Sequence, residues 1–129
     1  MIKHLAIFDK DGVQAIISGR RKVESRFSKI KLPPFSQIAK GDLVFMKKRG
    51  EKVVGHFLVD HVIFFDHPTR EDLDWLKKKF GKEMALPLDF WRAREKVNFA
   101  TLIFIGSVGK FLVPPQFAKK DLRGWVVLG

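Results

Sequence analysis

Lys52 to Phe65, KVVGHFLVDHVIFF, is the segment that most narrows what this chain can become. It is dense in β-branched and aromatic residues, holds no proline, and is longer than an ordinary strand. It reads as one long strand or a bent pair, with Gly55 at the bend or at a bulge. Shorter strand patterns flank it. KHLAIF spans Lys3 to Phe8, Lys22 to Ser28 follows, then Leu43 to Lys48, Ala100 to Ser107 and Trp125 to Leu128. Arg49-Gly50-Glu51 is a hairpin loop, Ala39 to Asp42 a turn, and Leu32-Pro33-Pro34-Phe35 and Val113-Pro114-Pro115 are loops.

Helices are expected at three places. Val13, Ile16 and Ile17 fall at helical spacing behind Asp9 or Asp11 as a cap, and Gly19 suits the left-handed residue after the helix. Thr69 and Asp72 form a capping-box pattern ahead of the stripe Leu73, Leu76, Phe80, with Gly81 ending that helix. A short helix is expected around Phe90 to Glu95. Five to six strands with two to three helices of uneven spacing specify an α+β fold built on a small mixed β-barrel, not an alternating parallel βαβ sheet. The 129 residues suit one domain, spanning 1–129.

Charge sets the partner class. Lys and Arg number 25 against 14 Asp and Glu, a formal net charge of +11. So basic a chain attracts polyanions, of which nucleic acid is the commonest in a cell, with a membrane surface or mere solubility as the other readings of the charge. No stretch is long enough to span a bilayer and no signal-type N-terminus is seen, so the expected location is cytoplasmic, with no membrane partner. With no cysteine, disulfides, thiol nucleophiles and thiolate metal sites are excluded. The same composition carries a thermophile-like hint. A monomer is expected, and no cofactor.

GRRKVESRF, Gly19 to Phe27, is the segment with the most chemistry. In a strand, Lys22, Glu24 and Arg26 share one face, and Val23, Ser25 and Phe27 the other. In a cleft, a carboxylate held by an arginine can accept a base's amino group while the arginine takes a carbonyl or phosphate. At the surface the same residues would be an ion pair of small consequence. Arg20, Arg21 and Lys22 follow a helix C-terminus, where they complement the dipole and can also hold phosphates. Trp91 beside Arg92 and Arg94 suits a stacking wall with flanking cations, or else closes the core. Trp75 beside Lys77 to Lys79 repeats the pattern on what reads as a solvated face.

Other candidates are weaker. Asp42 after Gly41 reads as a turn carboxylate that accepts backbone donors. His56 and Asp60 share one face of the long strand, and His61 falls on the other among Phe57, Val59, Ile63 and Phe65, as a core histidine. No ligand spacing suggests a metal site. No phosphate loop or nucleophile elbow occurs, and no serine has an evident activating base.

Gly19, Glu24, Arg26, Gly41 and Asp42, set in GRRKVESR, KGDLVFM and GHFLVDHVIFF, resemble the ASCH domain of the PUA-like superfamily, to which EVE domains are related. The resemblance covers about Asp9 to Phe65 in motif and the remainder in layout. It implies a small PUA-like barrel with a cleft between barrel and helices, and recognition there by Glu24 and Arg26 of a nucleotide or modified base in RNA, with tRNA, rRNA or another structured RNA as the expected partner. Some family members are hydrolases of N4-acylated cytidine that use a lysine, a threonine and a later glutamate. Here Arg21 stands at the lysine position and Glu24 at the threonine position. A hydrolase would need Lys22 by a one-residue shift, with Glu24 or Glu83 in the acid-base role. A protein-interaction module is the third possibility.

Overall fold

The computed structural model describes residues 1–91, 96–116 and 123–129. Strands β1 (Lys3–Phe8), β2 (Val23–Ser28), β3 (Leu43–Lys48), β4 (Val53–Asp66), β5 (Phe99–Lys110) and β6 (Trp125–Val127) form one sheet in the order β2-β5-β4-β3-β1-β6. Only β1 and β3 run parallel; the other pairings are antiparallel. The sheet is curled into a half-barrel, the α+β architecture expected. Its two edges, β2 and β6, are the strands that leave the seam.

Two apolar layers follow from this curl. Ala6, Phe8, Ile16, Val44, Met46, Phe57, Ile103 and Trp125 fill the inside of the barrel. Helix α1 (Gly12–Ile17) contributes Val13 and Ile16 to that core. Helix α2 (Arg70–Met84) lies outside, where Leu76 and Met84 pack with Val23 and Leu102 and with half-buried Phe65, Phe80 and Phe104. β1 is buried on both faces, since Leu5 and Ile7 join a third cluster while Ala6 and Phe8 face the barrel core. Among the described residues no helix is long and apolar enough to cross a membrane.

The capping box forms as expected. Thr69 Oγ1 accepts from Asp72 N at 3.1 Å, and Asp72 Oδ2 accepts from Thr69 N at 2.8 Å. Gly81, however, does not end the helix. The stripe Leu76, Phe80, Met84 continues at i+4 and carries the chain one turn further, to a left-handed C-cap at Ala85 (φ 48°). That packing outweighs the cost of a mid-helix glycine, about 1 kcal/mol. Neither Asp9 nor Asp11 caps α1 with its side chain. Asp11 pairs with Arg20 at 3.3 Å and Asp9 with Arg49 at 3.1 Å instead. Gly19 takes φ +82° after the helix, and Gly41 takes +89° in the turn before β3. A single 3₁₀ turn forms at Leu88–Phe90, and the third expected helix, around Phe90 to Glu95, falls largely on residues 92–95, which lie outside those described.

β4 carries the correction with most consequence. One register shift adjoins Gly55, where Met46 pairs with Gly55 and Lys47 with Val53, leaving Val54 as the extra residue beside the glycine. A further bulge lies at Asp60, because Val59 pairs with Ile105 and His61 with Phe104. One extra residue exchanges the two faces of a strand. Phe57 and Val59 therefore face the barrel core, whereas Ile63 and Phe65 face α2. His61 is not a core histidine. It is half-exposed, donates from Nδ1 to Asp60 Oδ2 at 2.7 Å, and stacks on Phe104 at 3.8 Å.

The buried histidine is His4. Trp125 Nε1–H donates to His4 Nδ1 at 3.1 Å, so the ring proton sits on Nε2 and is donated to Asp42 Oδ2 at 2.8 Å. Asp42 also accepts from Ile2 N at 3.1 Å and Ala39 N at 3.0 Å. The turn role read for Asp42 is thus one part of a larger network that ties β6, β1 and the turn before β3 together.

Candidate functional site: a cavity at the seam of the half-barrel

A side chain of β2 crosses the seam to the opposite edge. Arg26, on β2, donates from Nη1 to Ile7 O at 3.2 Å and to Gly124 O at 3.0 Å, just ahead of β6. Its guanidinium lies 4.8 Å from the Phe8 ring centroid and 5.2 Å from that of Trp125. Burial pulls the Arg26 pKa below its ordinary value, and Glu24 opposes that pull.

Glu24 lies beside this crossing and is 3 % exposed. Its Oε1 accepts from Ser25 N at 2.7 Å. Its Oε2 has guanidinium nitrogens of Arg21 at 3.6 Å and Arg26 at 3.8 Å, but accepts no hydrogen bond. The buried Ser25 hydroxyl has no partner either. Buried polar atoms left in this way are uncommon and call for a cause.

A cavity of about 490 Å³ opens against these groups. Arg21, Glu24 and Arg26 line it from the seam, the turn after β1 contributes Phe8 to Gly12, and Leu86, Pro87, Asp89 and Phe90 close the far side. Gly12 is needed there. A Cβ on it would lie 2.6 Å from the Phe8 ring and 3.3 Å from Arg21 Nη1. The residues lining the cavity carry four carboxylates (Asp9, Asp11, Glu24, Asp89) and three cations (Lys10, Arg21, Arg26). The chain's large positive charge is therefore spent elsewhere, and the cavity is close to electrically neutral.

The expected site residues distribute unevenly. Glu24 and Arg26 come together as the strand periodicity requires. Lys22 does not join them. It precedes β2, its side chain is exposed, and its backbone is held between Glu83 O (2.7 Å) and Ile105 N (3.0 Å). Arg21 takes the place expected of Lys22; its Nε donates to Met84 O at 2.9 Å, and it is 9 % exposed. Arg20 is exposed on Asp11. Glu83 has a buried, unpartnered Oε2 but is not among the residues that line the cavity. Trp91 packs edge-on against Phe27 at 5.9 Å and Phe90 at 5.4 Å, so Phe90, not Trp91, supplies the cavity's aromatic wall on that side. Arg92 and Arg94 lie outside the described residues. Phe8, Lys10, Gly12 and Asp89 also line the cavity and were not among the expected site residues. Among the described residues no group of His, Asp and Glu gathers as a metal site.

No family model and no curated protein matches the sequence. Solved structures do. An ASCH protein from Zymomonas mobilis superposes with a TM-score of 0.73 at 17 % identity, covering 98 % of this chain and 87 % of that one. The fold is that of an ASCH domain. A tyrosine-to-phenylalanine variant of the same protein gives a TM-score of 0.74 at 17 % identity, with 98 % and 90 % coverage. A third structure, of a hypothetical protein, gives 0.53 at 18 % identity, covering 78 % of this chain and 94 % of that one. At such identities the likeness carries the ASCH fold, and the roles of individual residues rest on the geometry above.

Proposed function

We propose that this ASCH-fold chain binds RNA by lodging one unpaired base in the Glu24 cavity. The observation that carries this reading is the Glu24 carboxylate, buried between two guanidinium groups with an oxygen that accepts no hydrogen bond, against a cavity of ligand size. A near-neutral cavity favours an uncharged base over a phosphate. Phosphates belong outside it, with exposed cations such as Arg20 and Lys22. Glu24 takes a ring N–H or exocyclic amino group, and Phe90 or Phe8 offers an aromatic wall. The hydrolase alternative fits less well. Lys22 points away from the cavity's lining, and Arg21, at the family's lysine position, cannot act as a neutral amine.

The test is binding of wild type and Glu24→Gln to single-stranded RNA, structured RNA and duplex DNA across salt concentrations. A hydrogen bond to a charged group is worth about 1.5–3 kcal/mol. Glu24→Gln is therefore expected to lower affinity for the preferred RNA roughly tenfold to a hundredfold while leaving the salt slope unchanged. Equal binding of all three polymers, unaltered by the substitution, would contradict the proposal. Turnover of N4-acylated cytidine would transfer it to the hydrolase reading.

A further inference from the structure

Arg26 has a cavity on each side. Beyond it, away from Glu24, lies a second one of about 220 Å³. Arg26 and Phe27 line both, so the two cavities adjoin at this part of β2. The second cavity is walled by Leu32, Pro34, Phe35 and Trp125, with buried Thr101 also among its lining residues. It is below the roughly 300–1,000 Å³ of a cavity that holds a whole small ligand. Its size and its flat apolar walls suit one planar ring.

The charges of the two cavities differ in kind. Four carboxylates and three cations line the first, whereas among the described residues no carboxylate lines the second, whose charged residues are Arg26 and Arg123. Both cavities lie along the seam between β2 and the β1–β6 edge, which Arg26 bridges. An extended ligand lying in that seam meets them in succession.

We propose that the second cavity is the subsite for the nucleotide adjoining the base at Glu24, so that the ligand is a single-stranded RNA segment of at least two nucleotides laid across Arg26. The inference rests on the base-binding reading above and adds to it the length and strandedness of the ligand.

The experiment compares ribodinucleoside monophosphates with the matching free nucleosides by calorimetry or fluorescence competition, on the full chain. Stacking of an added base on an apolar wall raises affinity about tenfold or more. The expected result is a dinucleotide-to-nucleoside affinity ratio of about ten or above in wild type. In Leu32→Asp, which places a carboxylate at the rim of the second cavity, that ratio falls towards one. Leu32 is 45 % exposed, so the change is made at the surface. If nucleosides bind in a Glu24-dependent way but the wild-type ratio is one, the second subsite is overturned and the base-binding reading stands. If neither nucleosides nor dinucleotides bind, both are overturned. The wild-type ratio decides the matter even if the variant fails to fold.

Discussion

Replacing Arg26 with alanine is expected to lower stability by about 3–5 kcal/mol, since it removes one partner of a buried charge pair. For a domain of this size that is a fall in Tm on the order of 10 °C. Three losses coincide. Ile7 O and Gly124 O each lose a donor, Glu24 loses one of its two cations, and the Phe8 and Trp125 rings lose the guanidinium that lies over them. Each belongs to the seam, so the edges of the half-barrel are expected to loosen there first. Arg26→Lys keeps the charge but not the fork that reaches two carbonyls, and an intermediate loss is expected. The decisive form is a double-mutant cycle with Glu24→Gln, read by urea melts. The two changes are expected to be less than additive, because neutralising Glu24 removes the charge that Arg26→Ala leaves stranded. A loss below about 1 kcal/mol would mean that Arg26 is an ordinary surface cation. This role also changes how Arg26 can be used as a probe. A binding defect in Arg26→Ala reports the seam as much as any contact to a base, so Glu24→Gln is the cleaner variant.

Asp42→Ala is expected to cost about as much, roughly 3–5 kcal/mol, by leaving Ile2 N, Ala39 N and His4 Nε2 without an acceptor inside the protein. The same carboxylate gives a pH signature. Burial alone would raise the Asp42 pKa, but hydrogen bonds from His4, Ile2 and Ala39 outweigh it, and the net shift is downward. A carboxylate with a depressed folded pKa stabilises fully above its unfolded value, about 3.9. That contribution is lost as pH falls from there through the folded pKa. Wild type is therefore expected to lose stability as the pH drops below about 4, and Asp42→Asn to show a shallower acid limb from a lower starting stability. Thermal melts from neutral pH to pH 3 check both points. An identical acid limb in the variant would remove Asp42 from the account.

Period-two alternation was enough to put Glu24 and Arg26 on one face, and the capping box and glycine turns were readable from a few adjacent residues. What was not readable has physical causes. Alternation holds only inside a strand, and β2 begins at Val23, so Lys22 fell outside it and Arg21 reached Glu24 from the preceding turn. The bulge at Asp60 reversed the faces of β4 midway, which moved His61 out of the core. Gly81 was overruled by an apolar stripe that ran a further turn to Met84. The His4–Asp42 and His4–Trp125 contacts join residues 38 and 121 positions apart, and no local pattern announces them. The cavity is of the same type. Its far wall, Leu86 to Phe90, is brought to β2 only by the packing of α2.

The most direct test of the central claim is an amide NMR titration of the full chain with a short single-stranded RNA. The Ser25 amide is the natural reporter, because it donates to the Glu24 carboxylate itself. The expected result is a saturable shift of Ser25 together with Gly12 and Phe90 on the cavity wall, which in Glu24→Gln saturates only at roughly tenfold to a hundredfold higher RNA concentration. Shifts confined to the exposed Lys77 to Lys79 face of α2, with Ser25 unmoved, would contradict it and leave the chain's positive charge as a non-specific attraction for RNA.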